Sequence, residues 1–520
     1  MSKIKSLILG SATGLVAIAG AQAADLPGKA KAVQYVKICS LYGAGFYYMP
    51  GTDTCIKLGG YIQADANING NNYNGPAWNE SVGNGAVPAN ALGTESRNSD
   101  SFTTRARVQL NLDTRTATEY GVVRTYWSSH FEHSTGFGPS SGNLTVDYGF
   151  VQFAGFTFGK ALSTFQTPWG AYGANNNTAF LIGGYDNATG INQIAYTWQF
   201  GSGLSAQLGL EDNKVINRAP LLNASAVIGG ATPAVTAGAY LGAGALAANQ
   251  NGTGGQLSPD ITGNMKIDRA AFTAQISGAA HNVNANYYST VAGALGNESS
   301  GRPSSVWGFA VAGGLQLKQL PTGAGDKLSL DFTYTDGAPK YVISGVTGNT
   351  FDNFGSAVNA GSYQSFASVN LYDGVYTNGG SIEKTKAWGF RGTFVHNWTP
   401  NWESSVFGSY TRVDYNGNAS AAICARQFAS VGTLTGGATA NGYSCNPDFN
   451  IWQVGTRTAW TPVRNLTFSG EVMYTMLDQF NTGSISTTGA NLIGGFKPAG
   501  TYDYKDQGIW SGNVRVRRTF

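Results

Sequence analysis

Residues 327–335 read Lys327-Leu328-Ser329-Leu330-Asp331-Phe332-Thr333-Tyr334-Thr335, with an apolar side chain at every second place and polar or charged ones between. A period of two marks an extended strand with two chemically different faces, because successive Cβ atoms point to opposite sides. The pattern recurs along the chain. Val108, Leu110 and Leu112 alternate with Arg107, Gln109, Asn111 and Asp113, and Leu204, Ala206, Leu208 and Leu210 alternate with Ser205, Gln207, Gly209 and Glu211. Ile194, Tyr196, Trp198 and Phe200 repeat it. Strand after strand carries Arg, Asp or Glu on its second face, so that face is expected to meet water rather than form a dry core.

Working outward from these segments gives sixteen strands, at 57–68, 102–113, 120–131, 147–153, 156–165, 191–200, 204–212 and 267–277, then 280–289, 306–318, 327–335, 386–397, 402–415, 450–461, 466–477 and 507–520. Their connections alternate between short ones, such as Ala154-Gly155, and long Gly/Asn/Ser/Thr-rich ones, such as 69–101, 214–266 and 337–385. Short turns on one rim and long loops on the other are the layout of an antiparallel transmembrane β-barrel with periplasmic turns and external loops. A closed sheet pairs all its backbone N–H and C=O groups, so only the outward half of each strand must be apolar. At sixteen strands the interior is expected to hold an aqueous channel. A large secreted β-sandwich or β-solenoid is the competing architecture, and it would need a dry inner face.

Composition agrees with the barrel. Charged residues are only 12% of the 520, glycines number 72, and aromatics reach 12%, while mean hydropathy is −0.14. Beyond the N-terminus no stretch approaches the roughly 18 to 20 apolar residues of a membrane helix. That aromatic content also excludes disorder. A formal charge of +3 is too small for an electrostatic nucleic-acid footprint, and no nucleic-acid partner is expected.

Lys3 and Lys5 precede the apolar run 7–20, and Ala21-Gln22-Ala23 ends it, the order of an export signal peptide over residues 1–23. Loss of its two lysines lowers the formal charge from +3 to +1. Residues 24–56 then read as a periplasmic N-terminal segment and 57–520 as the barrel. The four cysteines form two local pairs, Cys39 with Cys55 and Cys424 with Cys445, expected as disulfides in an exported chain. Each closes a loop of about 20 residues, a constraint of ~3 kcal/mol in the chain-entropy view. Neither pair has a histidine or further cysteine at ligand spacing, so no metal site is expected.

The end of the chain, Trp510-Ser511-Gly512-Asn513-Val514-Arg515-Val516-Arg517-Arg518-Thr519-Phe520, puts a terminal Phe in phase with Trp510, Val514 and Val516. It resembles the C-terminal signal read by the outer-membrane barrel-assembly machinery. Arg518 departs from that pattern but lies near the membrane edge, where its long stem can snorkel. The opening, Val36-Lys37-Ile38-Cys39-Ser40-Leu41-Tyr42-Gly43-Ala44-Gly45-Phe46-Tyr47-Tyr48-Met49-Pro50-Gly51-Thr52-Asp53-Thr54-Cys55-Ile56-Lys57 followed by Gly59-Gly60-Tyr61, resembles the rhizobial-type general porins of alphaproteobacteria. The likeness extends to Gly159-Lys160 ahead of the third long connection.

The resemblance implies a sixteen-stranded, homotrimeric outer-membrane pore, seated in lipid and lipopolysaccharide, for passive diffusion of small hydrophilic solutes and ions. It further implies that the third long connection, 166–190, folds into the barrel and narrows it. In that connection Asp186 is the one ionised residue. Strand phase places Asp65, Arg105, Arg107, Arg124, Arg515 and Arg517 on the inward face, with Arg107 and Arg124 nearest mid-strand. Basic wall against loop acid is expected to create a lopsided transverse field that favours anions. Each arginine could equally be a hydrated lumen residue paired with Asp65, Asp113 or Glu211.

Two other classes compete. One is a non-conducting adhesin, whose binding would reside in the long loops. The other is an outer-membrane hydrolase with a Ser/His pair around His281 on the outer wall. The four histidines, His130, His133, His281 and His396, stand near no convincing catalytic pair, and no cofactor motif is present, so neither enzyme activity nor a cofactor is expected. Non-reducing peptide mapping is expected to return Cys39–Cys55 and Cys424–Cys445; a Cys39–Cys445 peptide would refute the pairing and the topology together.

Overall fold

The structure is a computed structural model, describing residues 37–69, 101–136, 138–175, 181–185, 190–213, 219–225, 252–288, 296–343, 350–356, 364–434, 441–487 and 500–520. The expected signal peptide lies outside the described residues. The barrel strands are β1 (Thr54–Ile68), β2 (Phe102–Thr118), β3 (Gly121–Ser134), β4 (Asn143–Phe153), β5 (Phe156–Ala161), β6 (Ile191–Gly201), β7 (Leu204–Glu211) and β8 (Asp260–Asp268). They continue with β9 (Phe272–Val283), β10 (Val306–Leu317), β11 (Lys327–Asp336), β12 (Lys386–Thr399), β13 (Trp402–Asp414), β14 (Phe449–Val463), β15 (Leu466–Gln479) and β16 (Gln507–Thr519). Each pairs antiparallel with the next, and β1 pairs with β16 from Tyr61↔Thr519 to Ile68↔Gly512, which closes the sheet. The architecture is the expected sixteen-stranded antiparallel barrel.

Alternation is realised strand by strand. On β11, Leu330 and Phe332 point outward and are 43% and 49% exposed, while Ser329, Asp331 and Thr333 point inward at 4%, 6% and 1%. One hairpin differs from its sequence-based placement. The β8–β9 turn is made by Arg269-Ala270-Ala271, closed by the Arg269 N–H donating to the Phe272 carbonyl at 2.7 Å, not by Gly278-Ala279. Register explains the difference, because pairing Met265 with Ile276 sets two outward apolar side chains side by side. Gly278 stays within β9, where a Cβ would meet only open space. The first hairpin also runs on to Thr118 and Gly121 before it turns.

The interior is drier than the alternation alone suggests. The third long loop enters the barrel from β5 and lines its inner wall; Phe165 and Tyr185 pack with Tyr341 of the sixth loop, and the Trp169 ring lies where Gly314 of β10 has no side chain. At the long-loop rim, inward residues Ala387, Val413, Phe449, Ile451 and Leu477 join loop residues such as Phe351 in one buried apolar cluster. Loops here carry their own structure. Thr350–Ser356, Gln364–Asn370, Gly500–Tyr504, Thr482–Thr487 and Asn441–Ser444 form a five-stranded sheet, beside helix α1 (Gly417–Leu434). Inserted chain therefore occupies part of the barrel's cross-section.

Both disulfides are formed. Cys39–Cys55 ties the segment before β1 to that strand, with Cα atoms 6.0 Å apart, and Cys424–Cys445 staples α1 within the seventh loop at 5.6 Å. The first sits at the short-turn rim, where Tyr42 and Phe46 pack with the pair and the Arg115 guanidinium lies 4.9 Å from the Phe46 ring centre.

Closure converges on Gly60. Its N–H donates to the Phe520 carbonyl at 3.3 Å and its carbonyl accepts from the Phe520 N–H at 3.0 Å. A Cβ at this position would collide with the Gln109 carbonyl oxygen and press on the Phe520 ring at 3.1 Å. Gly60→Val is expected to destabilise the barrel by ~1–3 kcal/mol, the usual cost of overpacking, and to lower its thermal unfolding midpoint in detergent; an unchanged midpoint would show that β1 and β16 separate without cost.

Candidate functional site

Five neighbouring strands, β16, β1, β2, β3 and β4, bring a belt of charge to the inner wall. Asp65 on β1 is its centre. One carboxylate oxygen accepts from Arg105 Nη2 at 2.6 Å and Nε at 3.0 Å, and the other accepts from Arg515 Nε at 2.6 Å. Arg107 Nη2 donates to Glu132 at 2.6 Å, while Arg105 Nη1 lies 3.9 Å from the same carboxylate. Arg517 donates to Gln63 at 2.8 Å and stacks on Tyr61, its guanidinium 4.4 Å from the ring centre. His130 and Asp147, 2.9 Å apart, extend the belt to β4.

Strand pairing makes these contacts. Asp65 is directly opposite both Arg105 and Arg515, and Arg107 is opposite Glu132. Cross-strand neighbours on one face stand about 5 Å apart at Cβ, well within reach of arginine. Two buried carboxylates, Asp65 and Glu132, are thus shared among three of the arginines. Glu132 was missed as a partner, although inward phase with His130 would have found it.

Arg124 stands apart from the belt. It is opposite Arg115 and eight residues along β3 from Glu132, about 27 Å at the rise of a strand. There it binds Asp113 at 2.9 Å, together with Arg115 at 3.0 Å. The expected mid-strand position fails because β3 begins only at Gly121, close to Arg124, and runs on at its other end to Ser134. Asp186 lies outside the described residues. Glu211 holds the root of the third loop, accepting from Ser163 Oγ at 2.8 Å and from the Thr164 N–H at 2.9 Å.

Across the lumen, the third loop is bonded to the wall. Tyr172 donates to Asp331, which also binds Arg391 Nη2 at 2.6 Å, and the Arg391 guanidinium stacks 4.4 Å from the Tyr172 ring centre. Tyr172 has a left-handed backbone, φ 42°, a conformation held here by these contacts. A separate cluster ties the sixth loop down: His281 lies 2.7 Å from Asp260 and 3.1 Å from Asp373, and Lys340 lies 2.6 Å from Asp260. Burial pushes the Asp373 carboxyl above its usual range against the pull of His281. His281 thus faces inward between carboxylates, not a serine on the outer wall. His130 is buried and His133 is exposed on the opposite face of β3. Among the described residues no group of His, Cys, Asp and Glu is arranged to hold a metal ion.

A closed sixteen-stranded sheet with an apolar exterior, a charged inner wall and an inserted third loop is accompanied by a family match over residues 25–513, described as "Porin subfamily". The chain belongs to the porin family. Porin Omp2b of Brucella suis is 34% identical over 221 residues, 40% of this chain and 52% of that protein. Porin Omp2b of Brucella abortus (strain 2308) is 33% identical over 222 residues, 40% of this chain and 54% of that one. The chain spans about half the length of the curated relatives it matches. The crystal structure of the outer membrane channel DcaP of Acinetobacter baumannii shares the fold, with a TM-score of 0.51 and 15% identity, over 91% of this chain and 99% of that one. The porin's barrel accordingly spans the bacterial outer membrane, with its short turns periplasmic and its long loops external.

The two charge clusters differ in exposure. Arg105 and Arg515 side chains are 1% and 6% exposed around Asp65, whereas Arg115 and Arg124 are 29% exposed around Asp113. Asp65→Ala is expected to cost about 3–5 kcal/mol, as when one member of a buried ion pair is removed. Asp113→Ala is expected to cost about 0–1 kcal/mol. Urea unfolding of both variants in detergent checks this; equal losses would show that the belt is as hydrated as the rim.

Proposed function

We propose that this porin forms a passive, water-filled channel for small hydrophilic solutes and ions across the outer membrane. The observation that carries this reading is the charged belt on the inner wall, set across the barrel from an inserted loop. A structural β-protein has no use for eight adjacent ionisable groups on the inner face of a membrane-spanning sheet. The eyelet lies between the belt at Asp65, Arg105, Arg107, Arg515 and Glu132 and the third loop. Carboxylates alternate with guanidinium groups there, so the field is transverse and nearly balanced, and discrimination between anions and cations is weak. Pairing within the wall makes the field less lopsided than several arginines set against Asp186 would give.

The remaining assignments follow from this reading. Residues 1–23 direct export, 24–56 form a periplasmic segment pinned by Cys39–Cys55, and 57–520 form the pore, whose first strand starts three residues earlier, at Thr54. Phe520 presents the assembly signal, and three copies associate in lipid and lipopolysaccharide. No catalytic step or cofactor is assigned.

Purified protein in a planar bilayer should give an ohmic conductance rising with salt in proportion to bulk conductivity. Under a salt gradient, Arg107→Gln should shift the reversal potential toward cations and Glu132→Gln toward anions. Arg124→Gln, at the periplasmic rim, should shift it less than either. Absence of conductance would overturn the channel and favour the adhesin; equal shifts from Arg107 and Arg124 would misplace the eyelet.

A further inference from the structure

The described tip of the third loop ends at Asn175, a residue 1% exposed that meets three consecutive strands. Its side-chain oxygen accepts from Arg457 Nε of β14 at 2.6 Å and from Ser469 Oγ of β15 at 2.8 Å. Its side-chain nitrogen donates to Asn513 Oδ1 of β16 at 2.9 Å, and its backbone N–H donates to the Glu471 carboxylate of β15. Asn513 in turn donates to Asn67 at 2.6 Å and lies 3.5 Å from Asp65. One amide thus joins the loop tip to the wall and, through a single residue, to the centre of the charged belt.

An amide is the group this position requires. It offers a planar head with an acceptor facing two donors and a donor facing an acceptor, and each buried partner would lose a bond if it were removed. The loop has other hydrogen bonds to the wall. Ser405 donates to the Gly173 carbonyl, and the returning strand is met by Gln453 at the Ile182 N–H, 2.7 Å away, but these lie on β13 and β14. On β15 the loop also packs against Met473 through Trp169, Tyr172 and Leu181, while Asn175 makes the hydrogen bonds to Ser469, Glu471 and Asn513.

We propose that Asn175 is the positioning residue that latches the third loop against β14, β15 and β16 and thereby sets the width and steadiness of the pore. The inference rests on the channel reading for its effect on conduction, though the latch itself is a matter of geometry. Asn175→Ala should raise unitary conductance and add flicker between levels, while the thermal midpoint of the barrel stays unchanged, because the tip is not part of the wall. Asn175→Asp keeps the oxygen facing Arg457 and Ser469, loses the donor to Asn513 and sets a second carboxylate beside Glu471, so it should restore the wild-type trace only in part. Asn297→Ala, in an exposed turn of the fifth loop, is the control and should match wild type.

Chymotrypsin supplies a readout that does not depend on conduction. Trp169 and Tyr172 are buried by the latched loop, so the folded wild-type protein should resist cleavage there and Asn175→Ala should be cut. If wild type conducts and Asn175→Ala matches it in conductance and in cleavage, the latch is refuted. If wild type does not conduct and Asn175→Ala is still cut, the channel reading fails and the latch stands.

Discussion

Every backbone N–H and C=O that enters the hydrocarbon must find a partner within the protein, and the rest of this structure follows from that constraint. A single open edge would leave a row of unsatisfied groups in lipid, each costing several kcal/mol. The β1–β16 pairing removes the edge, and the exchange of two hydrogen bonds between Gly60 and the terminal Phe520 completes it at the very end of the chain. Glycine at position 60 is what allows the approach. Closure in turn fixes which strands are neighbours, and so which inward side chains can meet.

Once closed, the sheet has an interior too wide for its own side chains to fill. The chain fills part of that space with the third loop and with the apolar cluster beneath the external loops. What remains open is bounded by strands that carry charge in complementary order. Asp65 between Arg105 and Arg515, and Glu132 beside Arg107, let cations and anions of the protein sit close to a polar path without leaving unpaired charge in the wall. The same principle anchors the inserted chain, since Glu211, Asp331 and Glu471 each accept from a residue of the third loop.

The strands were legible because a membrane barrel writes its two environments alternately into each of them. Leu328 to Tyr334 declares its faces without reference to any other residue. The β8–β9 hairpin was misplaced because its turn carries neither Gly nor Pro, while Gly278 looks like a turn and is strand. Arg107 and Arg124 share a phase, yet the length of the first hairpin separates them, and length is the weakest thing periodicity reports. Asn175 sits in a run of asparagines that carries no periodic signal at all, and nothing local distinguishes it from its neighbours.

Sequence by itself determined the barrel class, its strand number, the outward and inward face of each strand, the cysteine pairs and the family. These are properties of short range or of composition, set by the bilayer outside and by neighbours a few residues away. Only the tertiary structure decided which carboxylate answers which arginine, how far the third loop reaches around the wall, and how much of the lumen inserted chain occupies. Asp65 and Arg515 are 450 positions apart, and Asn175 and Asn513 are 338 apart. Contacts of that range depend on the register and closure of the whole sheet, which no stretch of sequence specifies alone.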